Sequence, residues 1–129
     1  MTSRYYGETE ELLVNYGWYQ NNSRERTCPV GRKKPNDLGF FDMQGNVFNW
    51  CQESFQGDYS VSKGSKALQD KEDNLQILST NSRMFRGGSF GNRAVDVRSA
   101  YRPRTGPSNR DVHIGVRPAR TLPLGSFSP

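Results

Sequence analysis

The chain has 129 residues, a net charge of +5 and a hydrophobic fraction of only 33%. That length fits one domain, taken here as residues 1–129, and the mean hydropathy of -0.87 with no apolar run of spanning length argues against a transmembrane helix. Thirteen Gly and seven Pro imply many turns, while 7 Phe, 6 Tyr and 2 Trp supply large buried areas, so a loop-rich, aromatic-filled domain is expected rather than a helical bundle.

In chain order, Thr9 is placed to cap a short helix, with Glu10 and Glu11 in its first turn and Leu12, Leu13 and Tyr16 as its apolar face. Gly17 is expected to end it. The aromatic run Tyr5, Tyr6, Tyr16, Trp18 and Tyr19 would suit base stacking, but at helical spacing it reads as core. Pro29, Gly31, Pro35, Asn36 and Gly39 then mark turns. "LGFFDM" and "VFNWCQ" read as extended pieces around "QGN", Phe48 and Trp50 alternating with Asn49 and Cys51 as in a two-faced strand. Residues 57–82 are the most polar stretch and read as a surface excursion, with "NLQILS" entering a strand. "RMFRGGSF", "AVDVRSAYR" and "HIGVRPART" each read as strands. In the second, Val95, Val97, Ser99 and Tyr101 would share one face, with Asp96, Arg98 and Arg102 side by side on the other. Residues 122–129 read as a loose tail.

The charge is uneven. Residues 81–129 hold nine Arg against two Asp, or +7, and residues 1–80 hold nine basic against eleven acidic groups, or -2. Such a bias can mark a nucleic-acid surface. Its purely arginine character favours the other reading, in which planar guanidinium forks tie an irregular fold together through fixed geometry. Cys28 and Cys51 make neither a disulfide framework nor a Cys-x-x-Cys pair; the two could pair with each other, but two separate buried thiols are the commoner outcome. The lone His113 gives no His-based metal site. Asn21-Asn22-Ser23 matches a glycosylation acceptor, which matters only in a secreted eukaryotic protein. No signal peptide opens the chain, and the cysteine usage is compatible with the cytoplasm.

Three pieces taken in order are specific: "PNDLGFFDMQGNVFNWCQE", "RMFRGGSF" and "VRSAYRPRTGPSNRDVHIGVRPAR". Over residues 5–121 their order and spacing resemble the formylglycine-generating-enzyme family, also called sulfatase-modifying factor domains, many of whose members are bacterial. The resemblance implies an α+β, C-type-lectin-like fold with short antiparallel strands and few helices. It also implies that Arg86, Arg98, Arg102 and Arg117 are structural. The family domain is usually about twice as long. The resemblance therefore implies that the N-terminal half is missing here, to be completed by a partner chain or by dimerisation.

Active members of the family oxidise a sulfatase cysteine to formylglycine, using oxygen and copper held by two cysteines just after the Gly-Gly-Ser-aromatic motif. Here that stretch is "SFGNRAVDVRSA", without cysteine. Copper(I) needs soft thiolates, which Asn92, Arg93 and Asp96 do not supply. The chain is therefore read as a non-catalytic module that binds a protein or small ligand. The loops Gly91–Asp96 and Arg104–His113 would present Asn92, Arg93, Arg104, Asn109, Arg110 and His113. The copper-dependent oxidase and the nucleic-acid binder are the alternatives. The resemblance also implies a calcium site at Asp42, Asn49 and the carbonyls of Gly45 and Val47, oxygen donors that suit a hard cation; Asn49 stands where the family has Glu. Asn15 and Asn22 would match a second site. Without calcium the same stretch is a plain turn, with Gly45 and Asn46 chosen for tolerance of positive φ. "RGGS" lacks the Lys and helix of a phosphate loop. A triad of Asp96, His113 and Ser89 or Ser99 lacks a nucleophile elbow.

Overall fold

The structure, a computed structural model, describes residues 4–54 and 80–119. Most of the 57–82 stretch, all of "NLQILS" and the 122–129 tail lie outside the described residues. None of the helices found among them is long and apolar enough to cross a membrane.

The period-two pattern around Trp50 forms the first strand, β1 (Phe48–Ser54). It pairs antiparallel with β2 (Arg83–Arg86), Trp50 standing opposite Phe85 and Asn49 opposite Arg86. β3 (Arg104–Thr105) adds antiparallel to β2, and β4 (Ile114–Gly115) adds parallel to β1, giving the order β3-β2-β1-β4. One face carries an aromatic cluster. The rings of Phe48 and Trp50 lie 5.2 and 5.1 Å from that of Phe85, and Tyr101 lies 6.2 Å from Phe48. Offset and edge contacts of this kind add roughly 0.5–1.5 kcal/mol each beyond their buried area.

A second core joins distant segments: Leu13, Tyr19 and Val97 are buried together, with Tyr6 and Ala94 packed against them. Tyr5, Tyr6 and Tyr16 cluster beside it, Tyr6 stacked on Tyr16 at 4.4 Å and Tyr5 edge-on to both. These aromatics are therefore used as core. Burial drives the Tyr5 hydroxyl up to about 12, and raises Tyr6 as well.

Three sequence readings need correction. The helix α1 covers only Leu13–Tyr16. Thr9 and the glutamates precede it without capping it, and Leu12 points outward while Leu13 is buried. Gly17 does end it, in an extended conformation. "LGFFDM" is not a strand: the Asn36 side chain accepts hydrogen bonds from the Leu38 and Phe40 amides and closes a local turn, and Asp42 takes a left-handed φ of 53°. "AVDVRSAYR" is not a strand either. Ala94–Asp96 form a 3-10 turn, and Val97 is buried while Val95 is exposed, so the two do not share a face. The buried Arg4 explains this. Its guanidinium donates to the carbonyls of Ala94 (2.8 Å) and Val97 (3.3 Å), acceptors that a strand would have offered to a neighbouring strand. Conversely, the 103–112 loop contributes β3, which its turn-rich composition did not suggest.

Candidate functional site

The corner after β2 is built on two glycines. Gly87 (φ 97°) and Gly88 (φ 80°) hold left-handed backbone, and a Cβ at Gly88 would lie 3.1 Å from the Val97 Cα. The Gly87 carbonyl accepts from the Gly45 amide, and the Phe90 amide donates to the Asn46 carbonyl. Ser89 donates from both its amide and its hydroxyl to Asn92 Oδ1, at 2.9 and 2.7 Å. The Ser89 and Phe90 amides are thus already bonded inside the protein, which removes them from a phosphate cradle.

His113 closes this corner. Its ring stacks on Phe90 at 4.5 Å, and its Nδ1 lies 2.7 Å from Asp111 Oδ1, which also accepts its backbone N–H at 2.8 Å. Those bonds, the backbone one first, hold the Asp111 carboxyl below its usual range. The His113 carbonyl accepts from the Phe48 amide, which fixes the loop to β1. Gly91 leaves room for the ring, since a Cβ there would fall 2.8 Å from Nε2.

The result is a cleft of about 270 Å³, with Phe48 and Phe85 at its floor and Ser89, Asn92, Asn109 and His113 around it, Asp111 alongside. Of the residues expected in the binding loops, Asn92, Asn109 and His113 come together. Arg93, Arg104 and Arg110 do not line this cleft. Arg93 pairs with Asp96 at 3.6 Å, and Arg104 lies in β3 opposite Met84. The carboxylate partner of His113 is Asp111, not Asp96. Sequence reasoning missed it, although Asp-x-His in a turn is a spacing that lets the carboxylate reach both the amide and the ring. The cleft offers amides, a hydroxyl, a carboxylate and an imidazole, and no sulfur. Cys28 lies against the carbonyls of Ser23 and Arg26, and Cys51 against that of Asn49 on β1. The two thiols form no disulfide and neither lines the cleft. The donor set does not fit copper(I).

A second cleft, of about 540 Å³, has Asp42, Gly45, Val47 and Asn49 among its lining residues. Gly45 (φ 79°) and Asn46 (φ 62°) take the positive φ expected of them, and a Cβ at 45 would collide with the Trp18 backbone. Asp42 is buried. Its Oδ2 accepts from the Gly31 amide at 2.7 Å, and its Oδ1 is buried without a hydrogen-bond partner. A buried carboxylate oxygen without a partner is a donor of the kind a hard cation takes, while the Arg117 guanidinium, bonded to the Asp42 carbonyl, brings a positive charge to the same cleft. Asn22 is committed elsewhere: its Oδ1 accepts from the Tyr19 amide and its Nδ2 donates to the Gly17 carbonyl. No group of three or more His, Cys, Asp or Glu gathers among the described residues.

The expected structural arginines all bond within the protein. Arg86 donates to the Ser99 carbonyl, Arg98 to Val95, and Arg117 to Phe41 and Asp42. Arg102 lies against the Met84 sulfur. Asp96, Arg98 and Arg102 do not form the side-by-side row that a strand would have given.

A small curled mixed sheet, little helix and the Gly-Gly-Ser-Phe corner define an α+β, C-type-lectin-like domain. The model of the sulfatase-modifying factor enzyme 1-like domain matches residues 3–122, and the chain belongs to that family. It is similar to the structure of Treponema denticola variable protein 1, with TM-score 0.70 and 33% identity, covering 84% of this chain and 37% of that one. It is also similar to PvdO from Pseudomonas aeruginosa, with TM-score 0.59 and 28% identity, covering 80% of this chain and 38% of that one. Among curated proteins, the serine/threonine-protein kinase pkn1 of Chlamydia pneumoniae is 33% identical over 97 residues, 74% of this chain and 15% of the kinase. The chain thus spans a minor part of each of these relatives.

Proposed function

We propose that this domain is a non-catalytic member of its family that binds a protein segment or a small polar ligand in the Asn92–Asn109–His113 cleft. The observation that carries the reading is the composition of that cleft. Where the formylglycine chemistry needs two thiolates, this chain supplies amide, hydroxyl, carboxylate and imidazole groups over an aromatic floor. Convergent polar groups over apolar walls are the usual makeup of a recognition site. The test is to screen immobilised peptides and polar small molecules with the full chain and with an Asn92→Ala/Asn109→Ala double variant. Ligands that bind the parent and lose at least about tenfold in affinity with the folded variant support the reading. Ligands indifferent to both changes contradict it.

Calcium at Asp42 and Asn49, with the Gly45 and Val47 carbonyls, is proposed as a structural ion. The support is the unsatisfied Asp42 Oδ1. One carboxylate makes a weak site, so millimolar calcium is expected to raise the melting temperature and EDTA to reverse the rise. An identical transition in calcium, in EDTA and in Asp42→Asn would contradict it.

A further inference from the structure

Among the described residues, most of the exposed large hydrophobic side chains gather around the larger cleft. Val30, Phe40, Phe41 and Val116 line it, and Leu38 and Met43 are the exposed neighbours of the lining residues. Leu38, Phe40 and Val116 are 79%, 52% and 76% exposed. The apolar surface therefore extends beyond the cavity itself, more than a small ligand would cover, and a contiguous patch of this kind marks a macromolecular interface. Gly31 lines the cleft, and the next three residues are Arg32, Lys33 and Lys34. Arg117 also lines the cleft, its guanidinium bonded to the Phe41 and Asp42 carbonyls. The exposed Arg32 and Lys34 thus follow a residue of the cleft directly in the chain, against Asp42 within it and the exposed Asp37 beside Leu38.

The complementary surface is present on the same chain. Before and within α1 the sequence reads Glu8-Thr9-Glu10-Glu11-Leu12-Leu13-Val14. Leu12 and Val14 are 43% and 44% exposed, and Glu11 is exposed beside them. The two surfaces adjoin. Lys33 Nζ donates to the Val14 carbonyl at 2.6 Å, and the Lys34 amide donates to the Asn15 carbonyl at 2.8 Å. The basic run therefore links an acidic–apolar ridge on one side to an apolar cleft on the other.

From this we infer that the chain associates with a second copy of itself, the Glu11–Val14 ridge of each protomer seated against the Phe40 cleft and Lys34 of its partner. Ridge and cleft lie on one continuous surface, so a two-fold axis satisfies both contacts at once and closes the assembly as a dimer. A ridge and cleft on opposite sides would instead have built an open chain. This surface shares no lining residue with the Asn92–Asn109–His113 cleft, and the inference does not rest on the binding role proposed for it.

The test is sedimentation velocity of the full chain across a wide concentration range, in EDTA and again in calcium. A monomer–dimer equilibrium is expected in both. Phe40→Ser is expected to weaken it at least about tenfold by removing an apolar anchor. Lys34→Glu and Glu11→Lys, each alone, are expected to weaken it by at least as much, because like charges then meet at both symmetry-related contacts. An equimolar mixture of those two variants is expected to restore the dimer, since each contact again joins an acid to a base. Thermal melting of each variant checks that it is folded, and Arg32→Glu replaces Lys34→Glu if that variant is not. A monomer at every concentration overturns the proposal. So does a dimer indifferent to these substitutions, or single variants that lose the dimer without recovering it on mixing, which would assign the face to a different partner.

Discussion

The Gly87–Val97 corner and the Val30–Phe41 loop are both short, glycine-containing and poor in regular structure, yet they are built in opposite ways. In the corner, Ser89, Phe90 and Val97 are buried, and the Ser89 and Phe90 amides are taken by Asn92 and Asn46. In the loop, Val30, Leu38 and Phe40 stand exposed, and the fixed points are few: the Asn36 turn, the Gly31 amide on Asp42, and Lys33 stacked over the Trp18 ring at 3.9 Å. The contrast separates two uses of irregular chain. One is a scaffold in which most substitutions unfold something; the other is a surface in which they change what the molecule touches.

That separation can be broken by substitution. The largest effect is expected at Gly45→Ala, where left-handed backbone and a collision with the Trp18 main chain combine. Destabilisation of about 3 kcal/mol or more in urea unfolding is expected, and a loss below about 1 kcal/mol would mean that the Gly45 turn, whose amide is tied to the Gly87 carbonyl, yields easily. Next comes Arg4→Met, which leaves the half-buried Ala94 and the buried Val97 carbonyls without their guanidinium donor; about 2–4 kcal/mol is expected in the same experiment. Phe40→Ser in the loop should change stability by no more than about 0.5 kcal/mol. A large loss there would make the loop part of the scaffold.

The pH dependence sharpens the contrast further. Asp111 has a folded-state carboxyl held below its ordinary value of 3.8. Its contribution is present above that value and is lost as pH falls through the lower folded value. Asp111→Asn should therefore flatten the acid limb of stability below about pH 4. Tyr5 works at the other end. Its folded hydroxyl is raised from 10.0 to about 12, so its contribution is present below pH 10 and is lost as pH rises toward 12. Tyr5→Phe should soften that alkaline limb, a smaller effect because Tyr6 shares it.

Much of the scaffold was legible in the sequence. Phe48 to Cys51 alternate with period two and form β1, and Gly45 and Asn46 take the positive φ that their residue types permit. Arg86 and Arg117 donate to carbonyls distant in the chain, while the Arg98 guanidinium bonds only the Val95 carbonyl three residues back. What failed was local pattern overridden by distant partners. Residues 95–101 alternate like a strand, but Arg4, about ninety positions earlier in the chain, holds the Ala94 and Val97 carbonyls and turns the segment inward. α1 is short: Leu13 is its one fully buried residue and Tyr16 stacks on Tyr6 beside it, while the acids that suited its first turn lie outside the helix. Of the candidate binding residues, Asn92, Asn109 and His113 converge because the stack of His113 on Phe90 draws two loops together, and no spacing in the sequence encodes that contact.

The central claim is that the cleft beside the Gly-Gly-Ser-Phe corner binds rather than oxidises. The most direct test is to incubate the full chain with copper(I), oxygen and a cysteine-containing sulfatase peptide, and to follow the peptide by mass spectrometry while titrating copper binding. The prediction is no aldehyde product, and copper binding no tighter than that of a Cys28→Ser/Cys51→Ser variant. Formylglycine formation that disappears in that variant would contradict the account.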